Sequence, residues 1–188
     1  MGDIETASPG ADFTDPEPFE MDAAGQHLAF YPGGEARRKA LFDLVAGARK
    51  SLDVCFYIFA EDTVSTQFRD ALVAAARRGV RVTLIVDRFG ADATDAFLQP
   101  LVEAGGEFLC FSAKWTRRYL IRNHQKMVIA DGRKAMFGGF NIADDYFAPP
   151  AENGWNDLGI VIEGSAVEGL IDWYSKLLKW TEREEQHA

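Results

Sequence analysis

Arg122-Asn123-His124-Gln125-Lys126-Met127-Val128-Ile129-Ala130-Asp131 reads as a strand that delivers an imidazole and an ammonium to one place. Side chains two apart on a strand share a face, so His124 and Lys126 project together while Met127 and Ile129 turn to the opposite layer. A neutral imidazole nitrogen can attack a phosphodiester phosphorus, forming a phosphohistidine and splitting one hard displacement into two easier ones. A lysine beside it supplies fixed positive charge for the phosphoryl oxygens. By itself a His-x-Lys carries no weight. The ordered set of residues downstream does: Asp131, then Gly138-Gly139-Phe140-Asn141, then Trp155-Asn156-Asp157.

Each of these positions has a chemical reading and a plainer one. Gly138 and Gly139 before Asn141 suit a strand end where the backbone comes close to a ligand and the amide donates to a phosphate oxygen; an ordinary turn would look the same. Asp157 could accept from the second ring nitrogen of His124 and fix its tautomer, or merely cap a strand end. Asp131 lies seven residues from His124, on the opposite strand face and beside a turn. Its expected role is to hold that turn or to pair with a basic residue, which makes it mainly structural. Lys114, Trp115, Arg117, Arg118, Tyr119 and Arg122 form a basic, aromatic linker. It suits lipid head groups and single-stranded nucleic acid equally, or is a solvated loop.

Outward from the motif, helix and strand spacings alternate. Glu35 to Lys50, Thr63 to Arg78 and Thr94 to Ala104 have apolar residues at helical spacing, and Gly79 and Gly105-Gly106 supply stops. Ser51 to Phe59, Val80 to Asp87, Glu107 to Phe111, His124 to Ala130, Lys134 to Phe137 and Asp157 to Ile162 read as strands, with Asp131-Gly132 as a turn. A last helix is expected from Ser165, with Glu168 completing a capping box. This predicts an α/β fold with a mixed, mainly parallel sheet sandwiched by helices. Residues 1–26, with Pro9, Pro16, Pro18 and many acidic side chains, predict a disordered acidic leader, and 27–188 one domain.

Charge agrees with that division. The net charge is −9, but residues 1–25 hold seven acidic residues and no Lys or Arg, whereas 114–134 carries seven basic residues against Asp131 alone. The acidity is in the leader and the motif region is basic. With 188 residues, 47% of them hydrophobic, the chain can bury a sizeable core. No apolar run approaches the roughly 18 to 20 residues that span a bilayer, and Asp3 and Glu5 stand where a signal peptide would be basic. The expectation is a soluble, cytoplasmic protein. Cys55 and Cys110, each inside an apolar run, read as buried thiols rather than metal ligands.

The motifs His124-x-Lys126-x4-Asp131 and Gly138-Gly139-x-Asn141 resemble the signature of the phospholipase D superfamily, HxKxxxxD followed by a glycine pair and an asparagine. More narrowly, Tyr57-Ile58-Phe59, the run from Ala74 to Val82, the run from Gly138 to Asp144 and that from Ile162 to Val167 are similar to the first half of bacterial cardiolipin synthase-type members. The resemblance covers residues 35 to 181. It implies a phospholipase D-like α/β/α half and a metal-independent, cofactor-free phosphodiesterase or phosphatidyltransferase acting on anionic phospholipid, peripheral at the inner membrane. It further implies His124 as nucleophile or its acid partner, Lys126 and Asn141 as phosphate ligands, and Asp157 as the carboxylate that orients His124. Gly138, Gly139, Lys114, Arg117, Arg118 and Arg122 complete the expected substrate-binding set.

The sequence departs from that subgroup in carrying one HxK motif where its members carry two, and in lacking the membrane-spanning N-terminal segment of many of them. The expectation is an N-terminal half whose partner is a second HKD half of a longer chain. The alternatives are a homodimeric single-motif nuclease acting on nucleic acid, and a non-catalytic half-domain that binds anionic lipid or a partner chain.

Overall fold

Along each central strand the apolar residues alternate between two clusters, and that alternation sets the layers of the molecule. A computed structural model describes residues 14–111 and 123–185. Its strands are β1 (Phe19–Ala23), β2 (Gln26–Tyr31), β3 (Ser51–Phe56), β4 (Arg81–Asp87), β5 (Glu107–Phe111), β6 (Met127–Ala130), β7 (Lys134–Gly138) and β8 (Gly159–Glu163). The helices are α1 (Gly34–Gly47), α2 (Thr63–Arg77), α3 (Asp95–Glu103) and α4 (Val167–Glu185). The strands form one sheet in the order β1-β2-β8-β7-β6-β3-β4-β5.

Leu52, Val54 and Phe56 of β3, Leu84 and Val86 of β4, Val128 of β6 and Met136 of β7 point into a core roofed by α1, α2 and α3. Cys55, Ile85, Met127, Ile129 and Ala135 point the other way, onto Val167, Tyr174 and Leu177 of α4. Each buried Leu, Val or Ile contributes about 1.5–3 kcal/mol relative to exposure, so sliding β6 by one residue would trade two apolar layers for each other's geometry. The register of Val54 opposite Val128 and Val128 opposite Met136 is thereby specified. Burial pushes the Cys55 thiol up to about 12 and makes it an inert core residue. Cys110 is half-buried.

The α/β class and the mixed sheet between helices are as expected, but the parallel part is small. Among the strands of the described residues, β3–β4 and β4–β5 pair in parallel and the other five pairings are antiparallel. The reason lies in the connections. A parallel return needs a crossover of a dozen or more residues, whereas β6 and β7 are joined by a three-residue turn at Asp131, Gly132 and Arg133.

The leader expectation is corrected over 14–26. Phe19 and Met21 alternate with Glu20 and Asp22, the period of a strand, and Ala24-Gly25 (φ 49° and 74°) turns β1 back onto β2. Residues 1–13 of the expected leader lie outside the described residues. The last helix begins at Val167 rather than Ser165, and the capping box does not form: the Ser165 hydroxyl accepts instead from Gln26 Nε2 at 3.0 Å. The expected strand from His124 starts only at Met127. Among the described residues no helix is long and apolar enough to cross a membrane.

Candidate functional site

β3 and β4 end at the same edge of the sheet at which β6 begins, and the candidate site is built there. The carboxylate of Asp87, the last residue of β4, accepts from the Asn123 backbone N–H at 2.7 Å and from the Phe89 N–H at 2.9 Å. That buried acceptor fixes where the chain enters the His-x-Lys segment. Asn123 Oδ1 in turn accepts from the Gln125 N–H at 3.3 Å, bending the backbone so that the ring of His124 stands out to solvent.

Lys126 is buried at 5% exposure, while His124 is exposed. The ammonium of Lys126 lies 3.1 Å from His124 Nδ1 and donates to the His124 carbonyl at 2.7 Å. The ring of Tyr57, just past β3, packs on the imidazole with centroids 4.6 Å apart, and Lys126 Nζ lies 5.5 Å from the same ring. Burial pushes the Lys126 ammonium below its ordinary value, and the nearby Asp157 and Cys55 oppose that. With Lys126 charged, Nδ1 is an acceptor and the ring proton sits on Nε2. His124 and Lys126 are thus brought together, from an irregular segment ahead of β6 instead of from the strand itself.

Asn141 is buried and doubly held. Its Oδ1 accepts from the Ile58 N–H at 2.9 Å, and its Nδ2 donates to the Tyr146 hydroxyl at 2.8 Å. The chain after it is fastened to the start of α2 by two reciprocal carboxylates. Asp62 caps the helix at Ser65 and accepts from the Asp144 N–H at 2.7 Å, while Asp144 accepts from the Val64 N–H at 2.7 Å. Burial pushes the Asp62 carboxyl up, but the hydrogen bonds from Ser65 and Asp144 together outweigh it and hold it below its usual range.

Gly138 and Gly139 serve close approach, to protein groups. A Cβ at Gly138 would lie 2.1 Å from the Leu158 carbonyl, and one at Gly139 would lie 2.6 Å from the Asp157 carboxylate. That carboxylate accepts from the Leu158 N–H at 2.7 Å. No hydrogen bond joins Asp157 to His124 among the described residues; Asp157 acts on the site through the field it exerts on Lys126.

Asp131 stands at the far end of β6, with φ 55°, and accepts from the backbone N–H groups of Arg49, Lys50 and Ser51 at 2.6–3.0 Å. Burial pushes its carboxyl up, but these donors and the charge of Lys50 outweigh that and hold it below the ordinary aspartate value. It locks the start of β3 to the end of β6. The linker residues Lys114, Arg117, Arg118 and Arg122 lie outside the described residues.

A cavity of about 240 Å³ opens beside His124, walled by Phe111, Trp173, Leu177 and Trp180 with Lys176 at its edge. Sequence reasoning singled out neither this wall nor Asp87 and Tyr146, which hold Asn123 and Asn141. Among the described residues no three His, Cys, Asp or Glu side chains are gathered closely enough to hold a metal ion.

Residues 41–178 match the family described as cardiolipin synthase, PLD-like domain. Cardiolipin synthase A of Pseudomonas entomophila (strain L48) is 32% identical over 157 residues, which cover 80% of this chain and 33% of that protein. The major cardiolipin synthase ClsA of Bacillus subtilis (strain 168) is 31% identical over 161 residues, 82% of this chain and 33% of that one. The chain spans about a third of the length of these relatives. In fold it is similar to Nuc from Salmonella typhimurium, a phospholipase D family member, with TM-score 0.61 and 22% identity over 85% of this chain and 93% of that one. NucT from Helicobacter pylori gives TM-score 0.64 and 16% identity over 82% and 95%.

Proposed function

We propose, from the premise that the chain belongs to the cardiolipin synthase family of PLD-like domains, that it acts as one half of a phospholipase D-like phosphodiesterase or phosphatidyltransferase site. The observation that carries this reading is the pairing of a buried, fixed ammonium with an exposed imidazole 3.1 Å away. A phosphodiester anion docking on Lys126 would exchange the Lys126–imidazole contact for Lys126–phosphoryl contacts. The imidazole then attacks phosphorus, forming a P–N bond as the bond to the leaving alcohol breaks. The leaving oxygen takes a proton from a second histidine, and water or an alcohol returns that proton as it attacks phosphorus and breaks the P–N bond. The alkoxide never needs to leave unprotonated, and no metal enters the scheme.

The second histidine requires a second half, in the same longer chain or in another copy. The sheet supports this. Among the described residues, the face bearing Met127 and Ile129 is covered by helix residues of α4 alone. On the same face the paired residues Phe19, Phe30, Ile160 and Phe137, the first exposed and the others half-buried, form an apolar row that ends at buried Met127, next to Lys126.

The apolar wall beside His124 supports an anionic phospholipid as substrate, which implies peripheral contact with a membrane. Tryptophans also stack on bases. Incubation of the assembled two-half enzyme in EDTA with phosphatidylglycerol vesicles and, separately, single-stranded DNA distinguishes the two. Head-group release without DNA cleavage is the expected result, and the reverse would make the chain a nuclease.

A further inference from the structure

Arg37 carries a guanidinium into the interior of the protein, fully buried, and has no part in the chemistry above. No carboxylate among the described residues lies within ion-pair distance of it; Asp157 and Asp15 act on it only through their fields, while burial pushes its guanidinium below the ordinary arginine value. Backbone carbonyls from three separate stretches hold its two terminal nitrogens, while Nε is buried with no hydrogen-bond partner among the described residues. Nη1 donates to Pro32 at 2.8 Å, to Tyr31 at 3.4 Å and to Asp157 at 2.7 Å, and Nη2 donates to Tyr146. Phe140 and Phe147 face the guanidinium at 5.9 and 6.0 Å. Gly159 leaves room for the stem, since a Cβ there would lie 2.9 Å from Arg37 Cγ.

A position that needed only filling would take leucine or methionine, because a buried cation costs solvation that carbonyl contacts only partly return. The carbonyls it gathers are informative. Asp157 is the residue whose carboxylate rests against Gly139 and faces Lys126, and Tyr146 is the residue whose hydroxyl receives Asn141. One planar group with several fixed donors spans both loops, which an ammonium cannot do as well.

We propose that Arg37 is a positioning residue of the phosphate site, fixing Asp157 and the Asn141–Tyr146 pair at a set spacing from Lys126. This rests on the reading of His124 and Lys126 as a phosphate-binding pair. Preorganisation of this kind shows in affinity for the anion as well as in fold stability.

The test is an NMR titration of the full 188-residue chain with inorganic phosphate, following the His124 imidazole signals. The wild type is expected to shift saturably. Arg37→Met is expected to weaken phosphate binding about tenfold, Arg37→Lys to recover part of that, and low-millimolar guanidinium ion to restore binding to Arg37→Ala. Leu41→Ala, in the same helix and fully buried, is expected to lower the melting temperature with phosphate affinity unchanged. Equal affinity in wild type and Arg37→Met overturns the proposal; if that variant does not fold, equal affinity in Arg37→Lys does so. A wild type that never responds removes the phosphate site itself, and with it what Arg37 would position.

Discussion

β6 is four residues long, and its two ends do opposite things with polar side chains. At the Asp131 end a carboxylate is matched by three backbone donors, with little left for a ligand to add. At the His124 end a buried ammonium sits against the imidazole of an exposed residue, on a ring nitrogen whose lone pair a docking phosphate would free. The motif that looks like one unit in sequence is a lock at one end and a reactive pair at the other. A satisfied group stabilises; a group placed at cost beside an exposed nucleophile is what a site requires.

Substitutions at the two ends should therefore separate activity from stability. The largest effect is expected from His124→Ala: diesterase turnover of the assembled enzyme falls by roughly 10³-fold or more, and the melting temperature barely moves because the side chain is exposed. Lys126→Met should lower kcat about 10²- to 10³-fold, the scale of a lost donor to developing charge. Steady-state kinetics beside thermal melts check both. Asn141→Ala strikes both properties, since Ile58 and Tyr146 lose their partner; about 1–3 kcal/mol of stability, measured by denaturant unfolding, should go.

Asp131→Asn is the smallest change and the sharpest contrast. It should cost about 1 kcal/mol and leave phosphate affinity at the other end untouched. The carboxyl is held below its ordinary value in the folded protein. Its contribution is therefore present above the unfolded aspartate value of about 4 and fades as pH falls through the lower folded value. Unfolding measured from about pH 7 down to about pH 2 should show the gap between wild type and Asp131→Asn closing with acid. A gap that stays constant would mean that the charge of Asp131 contributes nothing.

How much of this could be read beforehand depends on range. The strands β3, β4 and β5 and helices α1 to α3 lay open in the sequence because their periods are local. The β1–β2 hairpin was hidden because the acidity and prolines around it masked the alternation of Phe19 and Met21 with Glu20 and Asp22. The antiparallel majority was implied by the short Asp131–Arg133 turn, a constraint that outranks the helix-strand alternation from which a mainly parallel sheet was inferred. The capping box at Ser165 failed because its hydroxyl is engaged by Gln26, 139 residues away in sequence. Likewise Arg37 occupies a core position of α1 one turn before Leu41. Only the carbonyls that the fold collects around it explain a charge there.

The central claim is that the imidazole of His124 is the nucleophile. Bis(p-nitrophenyl) phosphate carries a leaving group that departs without a proton, so even a half site can form the adduct. The protein is incubated with it in EDTA, quenched in alkali, where a phosphorus–nitrogen bond survives, and its peptides are weighed. One p-nitrophenyl phosphoryl group on His124, and none in His124→Ala, is the predicted result. An adduct on another side chain, or one that persists in His124→Ala, would contradict it.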